Sequence, residues 1–344
     1  MNKPADPGWP GFVKSCLPAV ARPLKFEPLH GDGSARSFYR VSGAPAACVL
    51  IVHPNPPRHE SRDVDENETW VYVAGLLNRA GAGAPEVYGY RRDAGLILCE
   101  DTGDRHLQSE VLARGLKSPW TRDTYGRLLE TLAALQAECG RTFEPERTFN
   151  PAYDADFMYE DEALYFAGFF LEKLCGIDPA PLHPELRLLS ETAAESVGER
   201  VMIHRDFQSR NIMVQQPDDR LRLLDFQGAR MGPSAYDVAS LLYDPYLTLP
   251  QALRDNLAGA YPELLARLAP RAASAFERSF PLIAVHRMMQ VLGAYGKLSL
   301  ADGKRKFLAY VPRALKSLRR LLGRGEFERF PLLRSAAERA GPPA

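Results

Sequence analysis

Ile203-His204-Arg205-Asp206-Phe207-Gln208-Ser209-Arg210-Asn211-Ile212-Met213-Val214, answered further on by Leu223-Leu224-Asp225-Phe226-Gln227-Gly228, is the stretch that decides the fold. Its apolar runs read as short buried strands: Val201–Ile203 first, then Ile212–Val214 answering Leu221–Leu224. Strands buried in this way leave polar residues at their ends, where a site can form. Asn211 follows Asp206 by five residues, and Asp225 follows Asn211 by fourteen. Phosphoryl transfer needs a carboxylate beside the attacking hydroxyl and oxygen ligands for a magnesium ion bridging the nucleotide phosphates. Asp206 suits the first role, and Asn211 with Asp225 suits the second. Asp206 and Asp225 could also be plain turn-capping carboxylates. Three such residues at this spacing, each beside an apolar run, outweigh that alternative.

Upstream, residues 24–53 read as strands: Leu24–Leu29, Ser37–Val41 and Ala47–Val52, closed by the proline-rich piece after Val52. Between the first two lies Gly31-Asp32-Gly33-Ser34-Ala35-Arg36. Its glycines allow backbone N–H groups to come close to phosphates, with a hydroxyl from Ser34 and a charge from Arg36, although Gly-Asp-Gly is also an ordinary turn. Residues 65–80 place Trp70, Val73, Ala74 and Leu77 at helical spacing, and Glu86–Arg91 and Gly95–Leu98 return to strand. After a linker near 99–106 the period becomes helical over Tyr125–Cys139, Phe157–Leu174 and Leu182–Gly198. It is helical again from 250 to 340, with breaks predicted at Pro262, Pro270, Pro281, Gly303 and Pro312. The expectation is an α+β chain: a small antiparallel β-sheet lobe over residues 1–101 and a larger, mainly helical lobe over 102–344 that carries the polar hairpin.

Bulk composition narrows the classes. A chain of 344 residues suits two domains or one domain with two lobes, and 45% hydrophobic with 25% charged residues suits a globular core. Forty-three basic and forty-three acidic residues cancel, so no global charge draws the chain to nucleic acid or anionic lipid. Cysteines at 16, 48, 99, 139 and 175 form no CxxC pair, which argues against a disulfide framework or a thiolate zinc site. The N-terminal MNKPADPGWP is polar and interrupted by proline, unlike a signal peptide. Ala163–Cys175 is too short to span a bilayer. A cytoplasmic protein without nucleic-acid or membrane partners is expected.

The Asp206, Asn211 and Asp225 set resembles the aminoglycoside phosphotransferase and choline kinase clan, which shares the protein-kinase-like two-lobed fold. Several segments resemble more closely the bacterial anomeric sugar kinases that act on N-acetylmuramate and N-acetylglucosamine. They are Gly31–Arg36, His204–Asn211, Asp225–Pro233, Tyr236-Asp237-Val238-Ala239-Ser240-Leu241-Leu242, and Val291-Leu292-Gly293 followed by Asp302-Gly303-Lys304. The resemblance implies ATP and Mg2+ as cofactors and a small sugar as substrate, with a role in cell-wall recycling, for a monomer or weak homodimer. Asp206 would be the catalytic base or hydroxyl-orienting group, and Asn211 and Asp225 the metal ligands. Gly31, Gly33, Ser34, Ala35 and Arg36 would cover the nucleotide phosphates, and Cys99-Glu100-Asp101 would form the hinge that meets adenine. The third strand, Cys48–His53, has no lysine to anchor the phosphates; Arg36, His53, Arg58 and Arg62 are the available substitutes.

Gln208, Arg230 and Asp237 are candidate acceptor contacts, although an N-cap role suits Asp237 and a loop brace suits Arg230. Asp154, Asp156, Glu160, Asp161 and Glu162 read as a solvated helix face or, alternatively, as a group that binds sugar hydroxyls or a cationic substrate. His286 and Arg287 read as packing or local hydrogen bonding. Two rivals therefore stand beside the sugar kinase: an aminoglycoside or amino-alcohol phosphotransferase, and a nucleotide-binding pseudokinase acting as an interaction module.

Overall fold

The computed structural model describes residues 7–20, 22–29, 36–300 and 303–341. Gly31, Gly33, Ser34 and Ala35 of the glycine turn, and Asp302, lie outside the described residues. Two compact units emerge: Met1–Arg105 with Glu144–Asn150 and Ile212–Ala229, and His106–Phe143 with Pro151–Asn211 and Arg230–Ala344.

The first unit is built on a five-stranded antiparallel sheet in the order β1-β2-β3-β5-β4. Its strands are β1 Lys25–Leu29, β2 Ser37–Ser42, β3 Cys48–Val52, β4 Val87–Arg91 and β5 Leu96–Glu100. Helix α1 (Gly8–Cys16) packs Trp9, Phe12 and Val13 against Tyr39, Val41, Cys48, Leu50, Leu96 and Leu98. The sequence reading had no helix there. Pro7 and Pro10 fall at the N-cap and in the first turn, where a missing N–H costs nothing, so they do not disrupt it. Helix α2 (Glu66–Arg79) opens on a capping box between Asp65 and Glu68 and buries Trp70, Val73, Ala74 and Leu77, the residues its period singled out.

The second unit is mainly helical. It contains α3 (Leu107–Arg114), α4 (Pro119–Thr142) and α5, which spans 155–174 with π-wound turns over Met158–Ala163 and Phe166–Leu174. Then come α6 (His183–Ser196), α7 (Ala235–Leu242), α8 (Gln251–Ala266), α9 (Pro270–Ala273), α10 (Phe276–Leu300), α11 (Val311–Leu322) and α12 (Pro331–Arg339). Among these, β6 (Val201–Ile203) pairs with β9 (Arg230–Gly232). The hairpin β7 (Ile212–Gln215) and β8 (Arg220–Leu223) belongs to the first unit.

Breaks predicted at Pro262 and Pro281 do not occur: both prolines lie inside helices, α8 and α10. Each removes one backbone donor, and neighbouring buried side chains hold the helix through the gap: Tyr261 and Leu265 in one case, Phe280 and Ile283 in the other. Helix α10 is buried on every face, which marks it as the spine of its unit. Gly293 and Gly296 let it touch α5 backbone to backbone. A Cβ at 296 would stand 2.5 Å from the Phe169 carbonyl oxygen. Gly296→Ala therefore forces two packed helices apart, and a loss of about 1–3 kcal/mol in urea-denaturation stability is expected. An unchanged midpoint would show that the helices have room to give.

Candidate active site

In the second unit the loop from His204 to Asn211 leaves β6 and is tied down by buried carboxylates at both ends. Asp237, on α7, accepts the His204 N–H at 2.7 Å on one oxygen and the Arg205 N–H at 2.9 Å on the other. One turn further, the Ser240 hydroxyl donates to the Arg205 carbonyl at 3.2 Å. These ties hold Arg205 at φ 76°, in the left-handed region that side chains rarely adopt. Asp244, just past the end of α7, accepts the Ser209 N–H at 2.8 Å and its hydroxyl at 2.5 Å. Inside the loop, the Asn211 side-chain amide donates to the Asp206 carbonyl at 2.9 Å. Its nitrogen is thus turned inward, and Oδ1 is the atom a cation would coordinate. His204, Phe207 and Ser209 are buried, whereas Arg205, Asp206, Gln208, Arg210 and Asn211 are partly exposed.

Asp206 meets Arg287, for which the sequence suggests packing or a local hydrogen bond; the local bond exists, to Gln290, and a long-range partner accompanies it. Arg287, on α10, is only 2% exposed, and its Nη1 lies 3.2 Å from Asp206 Oδ1 and 2.8 Å from Gln290 Oε1. Its Nη2 reaches Gln208 Oε1 at 3.4 Å. Burial works to raise the Asp206 pKa, but Arg287, Arg205 and His204 together outweigh it and hold the carboxyl below its ordinary value. The candidate base is therefore ionised and weakly basic.

The three candidate acceptor contacts separate. Gln208 stands beside Asp206 through Arg287. Arg230, in β9 opposite Ile203, stacks its guanidinium 4.4 Å over the Phe157 ring, and burial, then repulsion by Arg205, lower its pKa to about 9. Asp237 is fully buried and both its oxygens serve the loop backbone, so the acceptor contact weighed for it gives way to a structural role. That role is not the expected N-cap, which is Ser234. Burial pushes the Asp237 pKa up to about 7, against the pull of the two backbone N–H groups.

The acidic group at 154–162 does not form a carboxylate-lined pocket. Asp154 caps the start of α5 by accepting the Phe157 N–H at 2.9 Å, and Asp156 pairs with Arg187 at 2.7 Å. Glu162 is sealed inside, accepting the Tyr153 hydroxyl at 2.6 Å and the Tyr236 hydroxyl at 2.7 Å. Burial raises its pKa.

In the first unit, Asp225 follows β8 at φ 63° and is exposed. Gln227 donates to its carboxylate at 2.8 Å, and Arg36 donates to the Gln227 side-chain oxygen at 3.2 Å. The other end of Arg36 pairs with Glu66 of α2 at 2.8 Å. Phe226 packs on Trp70 of the same helix at 5.0 Å between ring centroids. Of the expected hinge, Glu100 donates its N–H to Glu86 and Asp101 donates its N–H to Ala47. Adenine contacts at these residues would have to use other atoms. The Asp101 carboxylate is engaged by Arg40, and that of Glu100 by Arg222.

Arg287, Asp244, Glu66 and Gln227 were not picked out as site residues from the sequence. Asp244 carried a signal, since it lies seven residues, about two helical turns, after Asp237. Arg287 carried another, because a charge in an otherwise apolar helix needs a partner.

A five-stranded antiparallel sheet with one inserted helix, a helical unit, and an Asp–x4–Asn loop define a small-molecule phosphotransferase of the kinase-like class. The family model described as "Phosphotransferase enzyme family" matches residues 25–273, and the chain belongs to that family. It is similar to a protein named N-acetylmuramate/N-acetylglucosamine kinase from Neisseria meningitidis, with 37% identity over 84% of this chain and 83% of the relative. A protein of the same name from Pseudomonas aeruginosa is 27% identical over 91% of this chain and 90% of its own length. Among solved structures, an ethanolamine kinase from Plasmodium vivax superposes with a TM-score of 0.58 at 14% identity, covering 91% of this chain and 84% of its own, a likeness of fold.

Removing the guanidinium should raise the Asp206 pKa. Arg287→Met is therefore expected to shift the acidic limb of the kcat/KM–pH profile to higher pH, with kcat/KM lowered about 10-fold or more above that limb. An unmoved limb would remove Arg287 from control of Asp206.

Proposed function

We propose that this phosphotransferase is an ATP- and magnesium-dependent sugar kinase. Its acceptor is the anomeric hydroxyl of N-acetylmuramate or N-acetylglucosamine, and the product a sugar 1-phosphate used in cell-wall recycling. The observation that carries the reading is the contact at Asp206, whose carboxylate meets the buried Arg287 guanidinium at 3.2 Å, a neighbour that favours the ionised, weakly basic form. A weak base suffices for an anomeric hydroxyl, which is more acidic than an ordinary alcohol. The names of the relatives support the same acceptor.

Asp206 orients the attacking hydroxyl and receives its proton. Asn211 Oδ1 and the Asp225 carboxylate are hard oxygen donors of the kind Mg2+ takes. Among the described residues no group of three or more His, Cys, Asp or Glu side chains could hold a metal. When bound, ATP supplies the phosphoryl group and Mg2+ offsets its charge. Arg36 and the glycine turn at 31–35 serve the phosphates, and Gln208 and Arg230 serve the acceptor. Residues 1–101 are assigned to nucleotide binding and 102–344 to catalysis and acceptor binding. Among the described residues no helix is long and apolar enough to cross a membrane.

A cationic acceptor, such as an aminoglycoside or amino alcohol, fits less well. Arg205 and Arg287 face Asp206, and the one fully buried acid of the 154–162 group is occupied by two tyrosine hydroxyls. The intact Asp206, Asn211, Asp225 set speaks against a pseudokinase.

Phosphate transfer from ATP to N-acetylmuramate, N-acetylglucosamine, glucose, choline and an aminoglycoside, with products read by phosphorus NMR, tests the reading. An amino-sugar 1-phosphate is expected, and transfer to choline or the aminoglycoside in preference would overturn it. Asp206→Asn should lower kcat by at least about 100-fold with ATP affinity nearly unchanged. Retained turnover would take Asp206 out of the catalytic role.

A further inference from the structure

We infer that Arg36, held by Glu66 and linked through Gln227 to Asp225, is the nucleotide-phosphate anchor that replaces the missing third-strand lysine, with Glu66 as its positioning residue. This rests on the kinase reading above. Kinases place a cation against the nucleotide phosphates and fix it with a glutamate from the helix that follows the third strand. Here that strand offers Cys48–Val52 and then His53, with no lysine. The helix glutamate is nevertheless present: Glu66, in the first turn of α2, where the Asp65–Glu68 capping box fixes the helix start.

Four cations could meet it, and the structure separates them. Arg58 has a 60% exposed side chain and lies 3.5 Å from Asp63 and 3.9 Å from Asp65. Arg62 donates to the Pro145 carbonyl at 2.8 Å. His53 does face Glu66 at 3.4 Å, but burial lowers its pKa and leaves it neutral near pH 7. Arg36 reaches Glu66 at 2.8 Å with a side chain only 6% exposed, so a full charge is held in a low-dielectric setting. It follows directly on the glycine turn at 31–35. Through Gln227 (3.2 Å to Arg36, 2.8 Å on to Asp225) the cation is joined to the expected metal ligand. Glu66, Arg36, Gln227 and Asp225 thus form one hydrogen-bonded row within a single unit.

The test is calorimetric binding of Mg-ATP, Mg-ADP and adenosine to the full chain and to Arg36→Met, Arg36→Lys and Glu66→Gln. Arg36→Met should weaken ATP and ADP about 10- to 100-fold and leave adenosine within about twofold. Arg36→Lys should recover part of the loss. Glu66→Gln should shift ATP in the same direction by less, raising KM for ATP and not for the acceptor. Wild-type-like ATP binding by Arg36→Met, or equal loss of ATP and adenosine, would overturn the inference while leaving the kinase reading intact. Failure of the wild type to bind Mg-ATP at all would overturn both. Should Arg36→Met not fold, the Lys and Gln variants decide: unchanged ATP affinity in both is the negative result.

Discussion

The loop from His204 to Asn211 depends on one interaction: a buried carboxylate accepting two backbone N–H groups where the chain leaves β6. A strand that ends inside a protein presents donors with no ladder partner, and each one left unsatisfied costs about 1–3 kcal/mol. Asp237 satisfies two at once, at His204 and Arg205, and Asp244 satisfies Ser209 at the other end of the loop. Burial of these acids is itself unfavourable, which is why the Asp237 pKa rises to about 7 and that of Asp244 rises too. Charge-assisted hydrogen bonds offset that cost. The arrangement imposes a left-handed Arg205 immediately before Asp206, whose carboxylate meets Arg287 and stays partly exposed. The position of the Asp206 carboxylate is therefore decided by residues about thirty positions away in sequence.

Three buried or half-buried acids in one unit have their pKa values pushed in opposite directions, and the guanidiniums decide which. Glu162 and Asp237 rise because burial dominates; Asp206 falls because Arg287 and Arg205 face it. The separation divides structural acids from the chemical one. Arg287 can hold its place because α10 is clamped: Gly293 and Gly296 bring its backbone against α5, leaving little freedom for the helix to shift. A weak base held rigidly favours positioning of the hydroxyl over forceful proton abstraction, and positioning is the larger part of catalysis in phosphoryl transfer.

Much of this was legible in the sequence, for identifiable reasons. The polar loop stood out because apolar strands flank it on both sides, and the hairpin at Ile212 and Leu223 paired in the register its apolar residues implied. Trp70, Val73, Ala74 and Leu77 kept their helical period because α2 has one buried stripe. What escaped were features whose cause is tertiary. Strand β9, Arg230–Gly232, is three residues long with no alternation to detect and exists because β6 needs a partner. Prolines 262 and 281 looked like breaks because local rules ignore the packing that holds a helix across a lost donor. For Arg287 the sequence offered packing or a local hydrogen bond, and the contact with Asp206 escaped because that partner is eighty-one positions away.

The missing lysine shows how a constraint can be met from another strand. A lysine buried beside one carboxylate must resist deprotonation as its surroundings dry out, whereas a guanidinium keeps its charge and presents donors in a fixed fork. That fork lets Arg36 touch Glu66 with one nitrogen and Gln227 with another, a pair of contacts pointing along different edges of one plane. A single ammonium would have to swing between them. Arg36 stands immediately before β2, so its backbone is anchored by a strand paired on both sides, with β1 and with β3. In this fold the requirement is a fixed positive charge next to the glutamate of α2; which strand delivers it is secondary.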